Sequence, residues 1–290
     1  MYDIEQKLML KGSDDQKSII DTLRELSKQG SFTKVIERVL PRIVYLSIYS
    51  SSRTSGAAIC ALQEFYDQTI LANAVEREML QAHAHIFLSL SDQDRNVVRT
   101  AVFACAEFSK QLNLSPKIKK AVHQLVKKLT DMIASDPRSN IRLAVVTVLG
   151  EISSQSELVN EIEGAVNYVL QNIEDDDPLL RKAVVDTFNR FSEQPKLVNM
   201  IMGGLPKLVG RLKDNDPYVR HSVVAAIDNF SNLPGFMEAI EGELPGLLGV
   251  GDSGVPETSQ KALYNTHKHD IILPSYPISL VSKTFSSWQI

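Results

Sequence analysis

The sequence predicts an all-α protein, an α-α superhelix built of about six to seven stacked helix pairs. Three observations carry this reading. First, a unit beginning DPLLRKAVVDTFNRFSEQPKLV at Asp177 recurs as DPYVRHSVVAAIDNFSNLPGFM at Asp216, an offset of 216 − 177 = 39. A fixed period of this size marks an array in which each repeat is one supersecondary unit. Second, Leu180, Val184, Phe188 and Phe191 recur at intervals of 4, 4 and 3, and Val219, Val223, Ile227 and Phe230 repeat them. That spacing draws one apolar stripe along an α-helix. Third, no sustained alternation of period two is present to mark a strand.

At this offset, Pro178 faces Pro217, Arg181 faces Arg220, Val184 faces Val223 and Phe191 faces Phe230. In the other half of the unit, Gly203 faces Gly242, Leu205 faces Leu244 and Pro206 faces Pro245. Working toward the N-terminus, the arginine recurs at Arg142, Arg99 and Arg53, with spacings of 39, 43 and 46 as loops lengthen. A last trace starts at Asp14, with Lys17 in the place of the arginine. The helix pairs then fall at 3–28, 31–67, 73–112, 116–155, 157–193 and 195–232, followed by a further first helix over 235–249.

The second helix of each pair has a defined start. Asp177 and Asp216 stand before Pro178 and Pro217. An aspartate at the N-cap accepts from a helix-end amide, and proline suits the first helical position, where its missing donor is not needed. The stripe repeats in Ile141, Val145, Val148 and Ile152. First helices carry Leu40-Pro41, Leu205-Pro206 and Leu244-Pro245, which place a proline within the helical pattern and predict a bend there. Past Pro256 the stripe fails: Thr258, Thr266 and His269 stand where Val219, Ile227 and Phe230 stood. The sequence therefore reads as one repeat array over 1–264, best defined over 91–250, and an irregular tail over 265–290. Ile271, Ile272, Leu273, Phe285 and Trp288 leave open a second reading, in which the tail caps the last unit.

The 290 residues are 43% hydrophobic and 23% charged, ordinary globular composition, and a repeat array escapes the usual size limit of one core because each unit contacts only its neighbours. The charge is mildly bipolar: residues 1–130 hold 18 Lys and Arg against 14 Asp and Glu, and residues 131–290 hold 13 against 21. The two cysteines, Cys60 and Cys105, both fall in expected helices, which suits core thiols in a reducing compartment. The N-terminus lacks a basic start followed by an apolar core, and no apolar run reaches the roughly 18–20 residues of a membrane span. The expected location is cytoplasmic, with the nucleus as an alternative.

Leu-Pro in the first helix, Asp-Pro at the turn, then Val-Arg and a Val-Val or Ala-Ala pair in the second helix together resemble the HEAT repeat. The units are most similar to those of phosphatase scaffold subunits, and more loosely to armadillo and importin-type solenoids. In that family the turn aspartate and helix arginine of neighbouring units form a ladder. The resemblance assigns this structural role to Asp136, Asp177 and Asp216 and to Arg99, Arg142, Arg181 and Arg220, with Arg53 as a further candidate. It carries no catalytic residue.

Local chemistry is sparse. His83 and His85 are two apart, which puts them on different faces of a helix and prevents a shared metal. His267 and His269 have no cysteine nearby. The run Glu174, Asp175, Asp176 and Asp177 lacks the glycine and closing glutamate of a calcium loop and suits a solvated helix start. Lys117, Lys119, Lys120, Lys127 and Lys128 cluster on one first helix, either as a solvated face or as a surface for an acidic or phosphate-bearing partner. No interleaved aromatics support stacking on nucleic acid. There is no glycine-rich phosphate loop, no GxSxG and no HExxH. The expectation is no catalytic residue, no metal and no cofactor.

The functional expectation is a non-enzymatic binding scaffold or adaptor for a protein partner. Stacked helix pairs form a curved ribbon whose concave wall is lined by second helices. The positions expected to be exposed there are Leu143, Thr147 and Glu151, then Lys182, Asp186, Asn189 and Arg190, then His221, Ala225, Asp228 and Asn229. They read equally as partner contacts and as unconstrained surface. A cargo-binding, transport-receptor-like solenoid and an accessory subunit of an enzyme complex are the alternatives.

Overall fold

The computed structural model describes residues 12–240, together with residues 4, 7 and 8. Among the described residues there is helix and no strand. Twelve α-helices follow one another within them: α1 (Ser13–Ser27), α2 (Thr33–Tyr49), α3 (Ser52–Tyr66), α4 (Thr69–Ser89), α5 (Arg95–Ser109), α6 (Pro116–Ser135), α7 (Ser139–Ile152), α8 (Val159–Gln171), α9 (Pro178–Phe191), α10 (Val198–Gly210), α11 (Pro217–Phe230) and the short α12 (Phe236–Ile240). These form pairs α2–α3, α4–α5, α6–α7, α8–α9 and α10–α11, matching the expected spans, with α1 in the place of the first. The remainder of the further first helix expected over 235–249, and the tail over 265–290, lie outside the described residues.

The repeat extends into the connections. Short 3₁₀ turns precede α8 and α10, at Ser156–Leu158 and Pro195–Leu197, one repeat period apart, and others follow them at Asn172–Glu174 and Arg211–Lys213. Leu158 and Leu197 are fully buried, so each turn pins its loop to the core.

The contacts divide the chain into two units, the first taking in Met1–Ile152 and Asn160–Gly164, the second Ser153–Val159 and Ala165–Ile290. In the second unit, α9 and α11 pack side by side, and α12 rests on α10. Leu180, Val184, Phe188 and Phe191 are all at 0% exposure, as are Val219 and Ile227. Full burial of a side chain of this size contributes about 1.5–3 kcal/mol, so the apolar stripe is what holds each second helix down. The start signals behave as anticipated: Asp177 accepts from the Leu179 amide at 2.9 Å, and Asp216 from those of Tyr218 and Val219 at 2.8 and 3.1 Å. Gly204 sits where α10 crosses its neighbours; a β-carbon there would stand 3.1 Å from Leu170 and 3.2 Å from Phe188. Pro206 lies inside α10, and the helix continues through it.

In the first unit, α1 packs on α3, and α5 on α7, in the same side-by-side manner. Between them the pattern changes: α5 packs on α2 and α4 rather than along α3. Polar groups are buried at this junction. Ser55 Oγ donates to the Ser47 carbonyl at 2.7 Å and meets Glu107 at 3.0 Å, while Gln111 donates to Ser47 Oγ at 3.1 Å. α5 and α6 are capped by Asp94 and Ser115, which accept from the Asn96 and Ile118 amides. Pro41 stands inside an unbroken α2.

Candidate functional site

The repeated arginines organise the turns before the second helices. Arg142, Arg181 and Arg220 each donate from Nη1 to the carbonyl six positions earlier, those of Asp136, Asp175 and Asp214, at 2.9, 2.8 and 2.7 Å. Those three aspartates are themselves one repeat period apart. Each turns its carboxylate onto the amide two positions on, at Arg138, Asp177 and Asp216, the side-chain turn that aspartate makes readily. Each arginine therefore closes the loop that launches its own helix.

The carboxylate that Arg181 meets is Asp214. Nε and Nη2 reach the two oxygens at 2.8 and 2.7 Å, a bidentate pair with side chains 12% and 2% exposed. The ladder carboxylate is thus not Asp216, nor does Asp177 fill that role: both are N-caps, their oxygens turned to helix-end amides. Burial alone pushes the Asp214 carboxyl up, but the Arg181 hydrogen bonds, the Asp216 amide and the charges of Arg181 and Arg211 outweigh it and hold the group below the usual carboxylate range. At Asp136 both oxygens are taken by Arg138 of the same turn, at 3.0 and 2.8 Å. Arg99 instead lies over the Phe103 ring, 5.8 Å from its centroid. Arg53 reaches Asp14 at 2.7 Å, with both side chains largely exposed.

The residues anticipated for partner contact take several settings. Lys182 pairs with Asp186 at 2.6 Å, one turn along α9. Asn189 Oδ1 accepts from Asn229 Nδ2 at 2.8 Å, which joins α9 to α11 at the surface. Arg190, His221, Ala225, Asp228 and Asn229 are exposed, and Asn189 is half-buried. One face of the second unit therefore carries a salt-bridged pair, an amide pair, an exposed imidazole and both signs of charge. In the first unit, Leu143 and Thr147 are half-buried, with the Thr147 hydroxyl donating to the Leu143 carbonyl, and Glu151 is exposed.

His83 packs its ring 5.9 Å from Phe87 and 6.1 Å from Phe108, and burial pushes its pKa down. His85 is exposed. No group of three His, Cys, Asp or Glu among the described residues is arranged to hold a metal. His267 and His269 lie outside the described residues. Glu174 of the acidic run stands 4.0 Å from both Lys207 and Arg211. Sequence reasoning did not single out the cavity of about 660 Å³ between α2, α4 and α5, lined by Tyr45, Tyr49, Glu78, His85 and Val97 among others. The tilted Tyr45 and Tyr49 rings, 4.9 Å apart, form part of its wall, and Arg42 lies over Tyr45 at 4.6 Å.

Residues 126–228 match the family described as HEAT repeats. No curated protein matches the chain. Among solved structures, an engineered protein determined as a structural-genomics target is 22% identical, with a TM-score of 0.50 over 79% of this chain and 98% of its own. A second engineered protein is 21% identical, with a TM-score of 0.50 over 79% and 96%. A designed armadillo repeat protein, solved in complex with the peptide (KR)4, is 18% identical, with a TM-score of 0.47 over 79% and 98%. Identities this low speak to the fold alone. The match over residues 126–228 and the stacked helix pairs together show an all-α solenoid similar to HEAT repeats.

Proposed function

We propose that this chain is a non-enzymatic scaffold that binds a protein partner along the face formed by α9 and α11. The observation that carries the reading is the Asn189–Asn229 amide pair. Their mutual bond uses one donor and one acceptor, and each carboxamide has further capacity. A donor and an acceptor held at fixed spacing on two adjacent rigid helices match the alternating groups of an extended peptide backbone. The exposed Arg190, His221 and Asp228 around them supply charge that selects among side chains. A polar face of this kind binds through positioned hydrogen bonds more than through apolar area, so modest affinity is expected from a single short segment.

The test is selection of peptides from a display library against the full chain, followed by titration of an enriched peptide. The double variant Asn189→Ala/Asn229→Ala should weaken binding at least about tenfold, the equivalent of 1.4 kcal/mol. Failure of any peptide to enrich, or unchanged affinity in the double variant, would refute the proposal.

A further inference from the structure

We propose that the solvent face of α6, in the first unit, is a separate docking surface for an acidic protein segment. Lys119, Lys120 and Lys127 are exposed and Lys128 is half-buried. Among the described residues none of the four side chains makes an ion pair or hydrogen bond, whereas the Lys117 side chain is held by Glu76 at 2.6 Å.

The placement of these lysines runs against the helix. Lys117 and Lys119 fall in the first turn of α6, and Lys120 directly after it, at the end where the backbone dipole is positive. Lys117 and Lys120 also stand three apart, a spacing at which like charges repel. α9 and α11, by contrast, place the aspartates Asp177 and Asp216 at this end. Lys117 has its compensating contact in Glu76, but Lys119 and Lys120 break these local rules without one, as expected of a surface kept for another purpose. The acids beside the face do not neutralise it. Glu76 is engaged by Lys117, Glu161 meets His123 at 2.6 Å, and Asp131, one turn beyond Lys127, closes no ion pair with it.

The chemistry of the face selects among anionic partners. α6 has no Phe, Tyr or Trp to stack on a base, its one imidazole, His123, is held by Glu161, and it has no arginine to grip a phosphate with two parallel bonds. Among the described residues, none of the exposed large apolar side chains lies on it, so it offers nothing to insert into a lipid surface. What remains is a set of four point charges. At 1.5 Å per helical residue, Lys119 to Lys128 span about 13 Å, which an extended chain covers in about four residues. The ligand class is therefore a short run of glutamates or aspartates in an extended protein segment.

The experiment titrates a fluorescein-labelled hexaglutamate into the full-length protein and follows its anisotropy. Hexaglutamine, a labelled oligo(dT) of similar length and phosphatidylserine vesicles serve as the other arms. Hexaglutamate should bind, with affinity falling as salt rises, and the variant K119Q/K120Q/K127Q/K128Q should bind it at least about tenfold more weakly. The control variant K34Q/K213Q, which removes two exposed lysines elsewhere, should change affinity less than about twofold. The quadruple variant should melt at the same temperature as the wild type or higher, because it loses repulsion. The inference is overturned by equal binding to wild type and quadruple variant, by tighter binding of oligo(dT) or vesicles than of hexaglutamate, by absence of hexaglutamate binding, or by a lowered melting temperature of the quadruple variant. It concerns a different unit from the α9 and α11 face, so its failure leaves that proposal standing.

Discussion

Replacement of Arg181 by alanine should destabilise the protein far more than replacement of its neighbour Lys182. Arg181 makes two bonds to the Asp214 carboxylate and donates to the Asp175 and Asp176 carbonyls at 2.8 and 3.0 Å. Its removal leaves a carboxylate that is 2% exposed with the Asp216 amide at 3.0 Å and the Arg211 charge at 3.8 Å as its remaining support. Breaking a buried pair by removing one member costs about 3–5 kcal/mol, and the residual partners place this case near the lower end, at about 3 kcal/mol. Lys182 and Asp186 are 38% and 46% exposed, and such a pair contributes within about 0.5 kcal/mol. At about 2–4 °C per kcal/mol for a chain of this size, Arg181→Ala should melt roughly 6–12 °C lower and Lys182→Ala within about 2 °C of wild type. Thermal and urea unfolding followed by circular dichroism at 222 nm measures both. Equal midpoints for the two variants would refute the assignment of Arg181 as the buried lock between adjacent turns.

The same pair predicts a pH dependence. A carboxyl held below its ordinary value adds stability that is present above the unfolded-state pKa of about 3.9 and is lost as pH falls through the folded value; the gap between wild type and Arg181→Ala should therefore narrow below about pH 4, and a gap that widens in acid would contradict it. Gly203→Ala should raise stability, read from the unfolding midpoint, by up to about 1 kcal/mol, because a β-carbon there meets open space in a helix interior. Gly204→Val should lower it by about 1–3 kcal/mol, because Leu170 and Phe188 leave no room, and a midpoint shift of the same sign in both variants would break the packing argument. Burial pushes the Cys105 thiol up, whereas Cys60 is exposed; iodoacetamide should label one thiol in the native protein and two in guanidinium, as counted by mass spectrometry, and native labelling at Cys105 would show that α5 opens.

The helix pairs were legible because burial writes the sequence twice. The stripe Leu180, Val184, Phe188 and Phe191 must face a neighbour, and its copy in the following repeat must face the next. The N-cap role of Asp177 and Asp216 was equally open to view, since Asp-Pro is a local signal. The partner of Arg181 was not. Asp214 and Asp216 both recur at the repeat period, and only the three-dimensional course of the turn decides which carboxylate swings toward the arginine of the previous helix. The even spacing of Asp136, Asp175 and Asp214 was the available clue. The change of packing at α5 was also hidden, because it is a matter of which helices meet, and the apolar stripe says only that a face is buried and not against what. The buried Ser47, Ser55 and Gln111 and the half-buried Glu107 that meet at the junction are ordinary in sequence and acquire meaning only by contact. Of the candidate face, the residue types on α9 and α11 could be read in advance, but not the degree of exposure: Arg190, His221, Ala225, Asp228 and Asn229 are exposed, whereas Lys182, Asp186 and Asn189, expected to be exposed, are half-buried. The Asn189–Asn229 bond could not, because it joins positions 40 apart across two helices.

Whether a partner segment lies along α9 and α11 can be read by photo-cross-linking. An enriched peptide carrying a benzophenone side chain would be irradiated with the full-length protein, and the adducts mapped by mass spectrometry. Adducts should concentrate within residues 182–190 and 221–229. Adducts confined to α8 and α10, or to helices of the first unit, would contradict that placement.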